Sequence, residues 1–244
     1  MSQAVLHPKI KKATEMPVYV KALIYGEPGA GKTYLACTAP NPLILMTEYD
    51  VSLATIVKAQ KDLGREIAVW EVTSLEDIEE AYQYLLSGAH NFQTVVLDSI
   101  TDFNNIVVRY AVDYALKKKP VHDPDILEMS DWQRVIAKIQ NIVVAFRALP
   151  MHVVVNALVT TGDDLRKGPA VTPKSLAATL PAMFNMVGAL AAVEQEGQVV
   201  RKLLVSPNDR YVAKNPGGLL PPVIDNPNLT KIFEEVVGNG KTVN

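Results

Sequence analysis

Little in this sequence ties it to an oxidising compartment, a membrane or a partner held by bulk charge. A single cysteine, Cys37, stands among 244 residues, so no internal disulfide can form. Basic and acidic side chains nearly cancel, 24 against 26, which excludes nucleic-acid binding through overall charge and leaves only local basic loops for it. No apolar run reaches the roughly 18 residues of a spanning helix. The most apolar stretch, residues 177–193, is broken by Pro181 and Asn185. Residues 1–12 are polar and basic, without the apolar centre of a signal peptide. The four histidines, His7, His90, His122 and His152, lack metal-ligand spacing. A soluble, cytoplasmic protein is expected.

What is present is an ordinary folding composition, 48% hydrophobic and 20% charged, at a length suited to one large domain. Residues 1–17 show no periodicity and read as a loose arm; residues 18–244 read as one core. Apolar strands are expected at 18–25, 43–46, 67–72, 94–97 and 152–158, with helices between them at 34–38, 51–63, 73–86, 102–117 and 132–146. Two capping boxes, Thr73–Glu76 and Ser130–Gln133, mark helix starts. Residues 160–175 read as a long loop. Strands at 187–193 and 199–205 turn near Glu196-Gly197, a short strand follows at 210–213, and Asn228 caps a terminal helix. Strands alternating with helices imply a parallel α/β sheet covered on both faces, with the late hairpin adding antiparallel strands at an edge.

The strongest signal is Gly26-Glu27-Pro28-Gly29-Ala30-Gly31-Lys32-Thr33, which matches the phosphate loop G-x-x-x-x-G-K-[ST] at every position, between a strand and a helix. Glycines let successive backbone N–H groups turn inward onto an anion. Lys32 can reach the β- and γ-phosphates and the Thr33 hydroxyl can bind Mg²⁺. With Tyr34 opening the helix, residues 26–34 are the expected ATP cradle. The second expected element is Thr94-Val95-Val96-Leu97-Asp98, an apolar strand ending in an acid. Asp98 is expected beside Thr33, as a Mg²⁺ partner, if its strand neighbours the first; helix capping is its other reading. Water activation needs a base, and Glu48, at the end of the strand LILM, is the candidate, with Asp50 a competitor.

These motifs together resemble the RecA/KaiC class of ATPases: the phosphate loop, the acid in MTEYD, and VVLDS in place of an Asp-Glu pair. With VVLDSIT and the late AKNPGG, the chain looks similar to small phage nucleotide-binding proteins of RecA-like type, including the RecA-like branch of the Sak single-strand annealing proteins. The resemblance spans residues 18–218. It implies a RecA-like P-loop NTPase fold, Mg²⁺-dependent ATP hydrolysis with Glu48 as activator, and work on DNA in recombination or annealing, in the cytoplasm of an infected host for a phage protein. It also implies a homo-oligomeric ring or filament, with single-stranded DNA and a single-strand binding protein as partners.

Two departures from that family stand out. Asn156 is followed by Ala157, so the glutamine of an Asn-Gln sensor is missing. Lys214-Asn215 is followed by Pro216, so of a Lys-x-Arg pair only Lys214 remains to act on a neighbour's nucleotide, with Arg210 or Arg201 as fallbacks. The resemblance implies two DNA-facing loops around a central axis, one with Lys117, Lys118 and Lys119, the other with Arg166, Lys167 and Lys174; neither is rich in aromatics. An Asn-Lys-x-Asp motif, an Asp-Glu pair and an arginine-rich lid are all missing, which disfavours a GTPase, a typical AAA+ motor and a small-molecule kinase. The kinase remains the leading enzymatic alternative, and an assembly module without turnover the other.

Overall fold

Strands this apolar need cover on both faces, and the computed structural model shows where it comes from. It describes residues 7, 10–47, 49–118, 123 and 126–241, with backbone alone at residues 14, 49, 50 and 239–241. The core begins with β1 (Lys21–Tyr25), α1 (Lys32–Cys37), β2 (Pro42–Met46), α2 (Tyr49–Leu63), β3 (Ala68–Glu71) and α3 (Leu75–Ser87). It continues with β4 (Thr94–Asp98), α4 (Ile100–Lys118), α5 (Met129–Ala148), β5 (His152–Ala157), β6 (Val159–Thr161), β7 (Lys167–Pro169) and α6 (Lys174–Thr179). It closes with β8 (Met186–Gln195), β9 (Gln198–Leu204), β10 (Val223–Asp225) and α7 (Leu229–Lys241).

One sheet runs in the order β10-β9-β8-β1-β5-β4-β2-β3. The strands from β8 through β3 pair in parallel, and β9 and β10 add antiparallel at the edge. This is the RecA-like P-loop NTPase fold that the sequence implied. Successive strand residues point to opposite faces. Leu23, Leu45, Leu97 and Val155 therefore pack with buried residues of α3, α4 and α5. Ile24, Ile44, Val96 and Val154 pack with those of α1, α2 and α7. The register holds the carboxyl ends of the central strands level, with Tyr25 opposite Ala157 and Met46 opposite Asp98. That edge carries the site.

Several boundaries moved for identifiable reasons. The third helix starts one residue later than its expected box, because the Asp77 carboxylate accepts the Ser74 N–H at 2.9 Å and the Thr73 N–H at 2.8 Å while the Ser74 hydroxyl caps the Asp77 N–H. The fifth helix starts earlier than Ser130, where Asp131 accepts the Glu128 N–H at 3.0 Å and pairs with Arg134. The expected loop at 160–175 contains the small antiparallel hairpin β6–β7 and the start of α6. The expected strand at 210–213 is instead an extended segment with isolated bridges, Lys167 to Tyr211 and Val187 to Lys214, and the edge pairing falls to β10. Asn228 does cap the last helix, accepting the Lys231 N–H at 3.2 Å, and Thr38 accepts the Leu229 N–H at 2.8 Å, which docks α7 on α1. Among the described residues, no helix is long and apolar enough to cross a membrane.

Candidate nucleotide site

The phosphate loop leaves β1 at Tyr25 and enters α1 at Lys32, so its backbone stands at the carboxyl edge of the sheet. Gly29 and Gly31 hold φ values of 77° and 99°, where a side chain is strained, and the turn they make depends on glycine. Gly26 is fixed for another reason. A Cβ there would lie 2.3 Å from the Leu190 carbonyl oxygen, because β8 runs directly behind the loop. Glu27, Pro28 and Ala30 complete the turn between these glycines, with the Ala30 N–H donating to the Glu27 carbonyl at 3.2 Å.

The loop closes on its own lysine. The Lys32 ammonium donates to the Gly26 carbonyl at 2.9 Å and the Glu27 carbonyl at 3.0 Å, across the mouth where an anion would enter. The Thr33 hydroxyl donates to Asp98 at 2.7 Å. The condition set for that pair is not met as expected: β4 does not neighbour β1, because β5 lies between them. Asn156, at the end of β5, fills the gap and donates to the other Asp98 oxygen at 3.0 Å. Asp98 is 6% exposed. Burial pushes its carboxyl above the usual carboxylate range, while the Thr33 and Asn156 hydrogen bonds and the Lys32 charge pull the other way. The Asn156 side-chain oxygen is buried without a partner, a free acceptor in the wall that carries Asp98.

Pro28, Gly29, Gly31, Lys32, Thr33 and Asp98 line a cleft of about 700 Å³ together with Tyr34, Ser52, Lys58, Asp62, Ser99, Asp102 and Arg201. The donor set suits a nucleoside phosphate with a hydrated Mg²⁺. It offers a glycine turn, a lysine across its mouth, a hydroxyl on a carboxylate, and an orphaned acceptor nearby. Among the described residues, no three His, Cys, Asp or Glu side chains converge as a direct ligand cage, so a cation here would keep much of its water. Cys37 contributes nothing reactive: burial pushes its thiol up to about 12.

Glu48 lies outside the described residues, as does the side chain of Asp50. What the structure places is the approach to them. The Thr47 N–H donates to the Asp98 carbonyl at 3.1 Å, so the chain leaves β2 at the cleft's edge. Lys214 is not at this cleft. Its ammonium donates to the Phe184 carbonyl at 2.7 Å, toward the amino end of β8 and away from its own phosphate loop.

The two basic segments expected around one axis do not lie together. Thr101 and Asn104 tie residues 170–172, next to the hairpin, to the first turn of α4 through hydrogen bonds to Ala170 and Thr172. Lys117 and Lys118 stand at its other end, roughly 20 to 26 Å along the helix at 1.5 Å per residue. Lys118 sits 4.8 Å over the Tyr114 ring, Arg134 shares that ring at 4.0 Å, and Lys119 lies outside the described residues. In and just after the hairpin, Arg166 pairs with Asp164 at 2.7 Å, Lys167 with Glu27 at 3.6 Å and Lys174, at the start of α6, with Asp163 at 2.6 Å. Alternation and composition show the cations there but not the acids beside them.

Sequence reading did not find Lys58, Asp62 or Asp102, and it considered Arg201 only as a neighbour's residue. The Lys58–Asp62 spacing, one helical turn, was a visible signal for the first two. Nothing local to Arg201 pointed to the phosphate loop, since β9 reaches it only through the sheet order.

Residues 19–216 match the family model described as AAA domain. No curated protein matches the chain. Solved structures similar to it include a KaiC-like protein from Pyrococcus horikoshii, 14% identical, with 76% of this chain and 77% of that one covered at a TM-score of 0.40. Another is the flagellar accessory protein FlaH from Methanocaldococcus jannaschii, also 14% identical, with 86% and 85% covered at a TM-score of 0.43.

Proposed function

The chain belongs to the AAA domain family, and on that premise we propose a Mg²⁺-dependent, RecA-like ATPase that works as a homo-oligomer on single-stranded DNA, in phage-type recombination or strand annealing. The observation that carries the ATPase reading is the Thr33–Asp98 pair at 2.7 Å beside a complete phosphate loop. In this reading the Lys32 ammonium exchanges the Gly26 and Glu27 carbonyls for the β- and γ-phosphate oxygens. Thr33 and Asp98 would hold Mg²⁺, which neutralises charge building on the transferred phosphoryl group. Asn156 keeps Asp98 turned toward Thr33. Glu48 takes the proton from the attacking water as the bond from the γ-phosphorus to the bridging oxygen breaks and ADP leaves.

In this reading single-stranded DNA would act on the nucleotide site through the hairpin β6–β7, which touches the phosphate loop and the end of β1. The Tyr25 hydroxyl lies 2.9 Å from the Lys167 carbonyl and 2.7 Å from that of Val212, and the Lys167 ammonium meets Glu27 of the phosphate loop. These contacts join the phosphate loop and the end of β1 directly to β6–β7. The deciding experiment is ATP turnover with and without single-stranded DNA, with the oligomer sized in parallel. DNA-stimulated phosphate release from an assembled protein is expected. Stoichiometric phosphoryl transfer to a small acceptor would replace this reading with a kinase, and nucleotide-bound oligomers without turnover would replace it with an assembly module.

Lys214 is proposed as the cation supplied across a head-to-tail contact, since it does not reach its own loop. Mixing Lys214→Ala subunits with Lys32→Ala subunits should restore part of the activity that each lacks alone. Co-assembly without recovery would place Lys214 in a purely structural role at Phe184.

A further inference from the structure

Arg201 is a cation of the cleft that the ATPase reading leaves without a task in its own subunit. It lies on β9, opposite Ala192 of β8, and its backbone is held on the outer side as well, where the Asn226 N–H donates to the Arg201 carbonyl at 2.7 Å. The first half of β8 is buried and its second half exposed, so the β8–β9 hairpin rises past the end of β1, alongside the phosphate loop. That rise carries the Arg201 side chain across Gly31. A Cβ on Gly31 would lie 2.5 Å from the Arg201 Nε and 3.0 Å from its Cδ. Among the described residues Arg201 makes no ion pair, although Asp62 lines the same cleft and already takes the Lys58 ammonium and the Tyr34 hydroxyl.

Its position within the cleft is informative. Arg201 lies against Gly31, within the glycine turn whose backbone N–H groups cradle the α- and β-phosphates of a nucleotide, and the Thr33–Asp98 pair marks the end where the γ-phosphoryl chemistry belongs. A guanidinium against a phosphate loop, with no ion pair among the described residues, presents planar donors suited to phosphate oxygens.

We propose that Arg201 binds, from within the same subunit, the phosphates that ATP and ADP share. This rests on the reading of the cleft as a nucleotide site. An interaction made equally with substrate and product strengthens binding without speeding the chemical step. Arg201 is thus a binding clamp in cis, separate from any cation that a neighbour supplies to the γ-phosphate.

Calorimetry of Mg·ATP and of ADP with the wild-type chain, Arg201→Ala and Arg201→Lys tests this. Arg201→Ala should weaken both nucleotides by a similar factor, about ten- to a hundredfold. Arg201→Lys should fall between, with the charge kept and the fork lost. The kcat at saturating ATP should stay within about twofold. Because the side chain is exposed, the ligand-free melting temperature of both variants should match wild type, which separates lost binding from lost folding. Affinities unchanged in both variants would overturn the proposal. So would a loss confined to ATP, or a fall in kcat with binding intact. Recovery of binding or turnover on mixing Arg201→Ala with Lys32→Ala subunits would move the residue to the neighbour's site. A wild-type chain that binds neither nucleotide would overturn the nucleotide site itself.

Discussion

Lys32→Ala is expected to lose ATP affinity by about a hundredfold or more, the scale of removing charge-assisted hydrogen bonds worth about 3 kcal/mol together. In the ligand-free chain the ammonium already spans the loop, held by the Gly26 and Glu27 carbonyls. Those two acceptors are backbone groups at the rim and can be satisfied by water when the lysine is gone, so the variant should fold normally. A triphosphate entering between them has no such substitute: it meets the amides of the turn without the ammonium. Calorimetry on the variant, with a thermal melt as the folding control, reads this directly. Wild-type ATP affinity in Lys32→Ala would remove the phosphate loop from the account.

The second large effect separates binding from chemistry. Glu48→Gln should bind Mg·ATP as wild type does, yet hydrolyse it roughly a hundredfold more slowly or worse, the usual cost of losing a positioned base. The glutamine keeps the side chain's size and its hydrogen bonding to a water, but it cannot take the proton. Asp50 is the competing acid two residues on. If Asp50→Asn abolishes turnover and Glu48→Gln leaves it intact, the base is Asp50 and the path from β2 into α2 delivers a different side chain to the cleft. Single-turnover phosphate release under saturating ATP distinguishes the two without interference from nucleotide exchange.

How much of this was legible beforehand depends on the range over which each signal acts. The phosphate loop and its acid strand are local: glycine tolerance, a lysine and an apolar run ending in Asp98 are all written within a few residues. The two-sided sheet was legible too, because Leu23–Ile24, Ile44–Leu45 and Val96–Leu97 are apolar at successive positions, and only a strand covered on both faces accepts that. Strand order was not. That β5 lies between β1 and β4, so that Asn156 rather than a shared ladder braces Asp98, is a property of the whole sheet. The hairpin at 159–169 was hidden by short, polar strands whose pairing is set by the Gly162 turn and by Thr101 and Asn104 at the start of α4. The ion-pair partners of Arg166, Lys167 and Lys174, namely Asp164, Glu27 and Asp163, are set by the fold and not by sequence pattern. The place of Arg201 was hidden in the same way: it is far from the phosphate loop in sequence, and only the sheet order brings it beside Gly31 of the same chain.

The most direct test of the central claim is the steady-state release of inorganic phosphate from Mg·ATP by the purified chain, with Lys32→Ala measured beside it. A P-loop ATPase predicts ATP-dependent release that requires Mg²⁺ and disappears in the variant. Release that persists undiminished in Lys32→Ala, or a wild-type chain that neither binds nor turns over ATP, would contradict it.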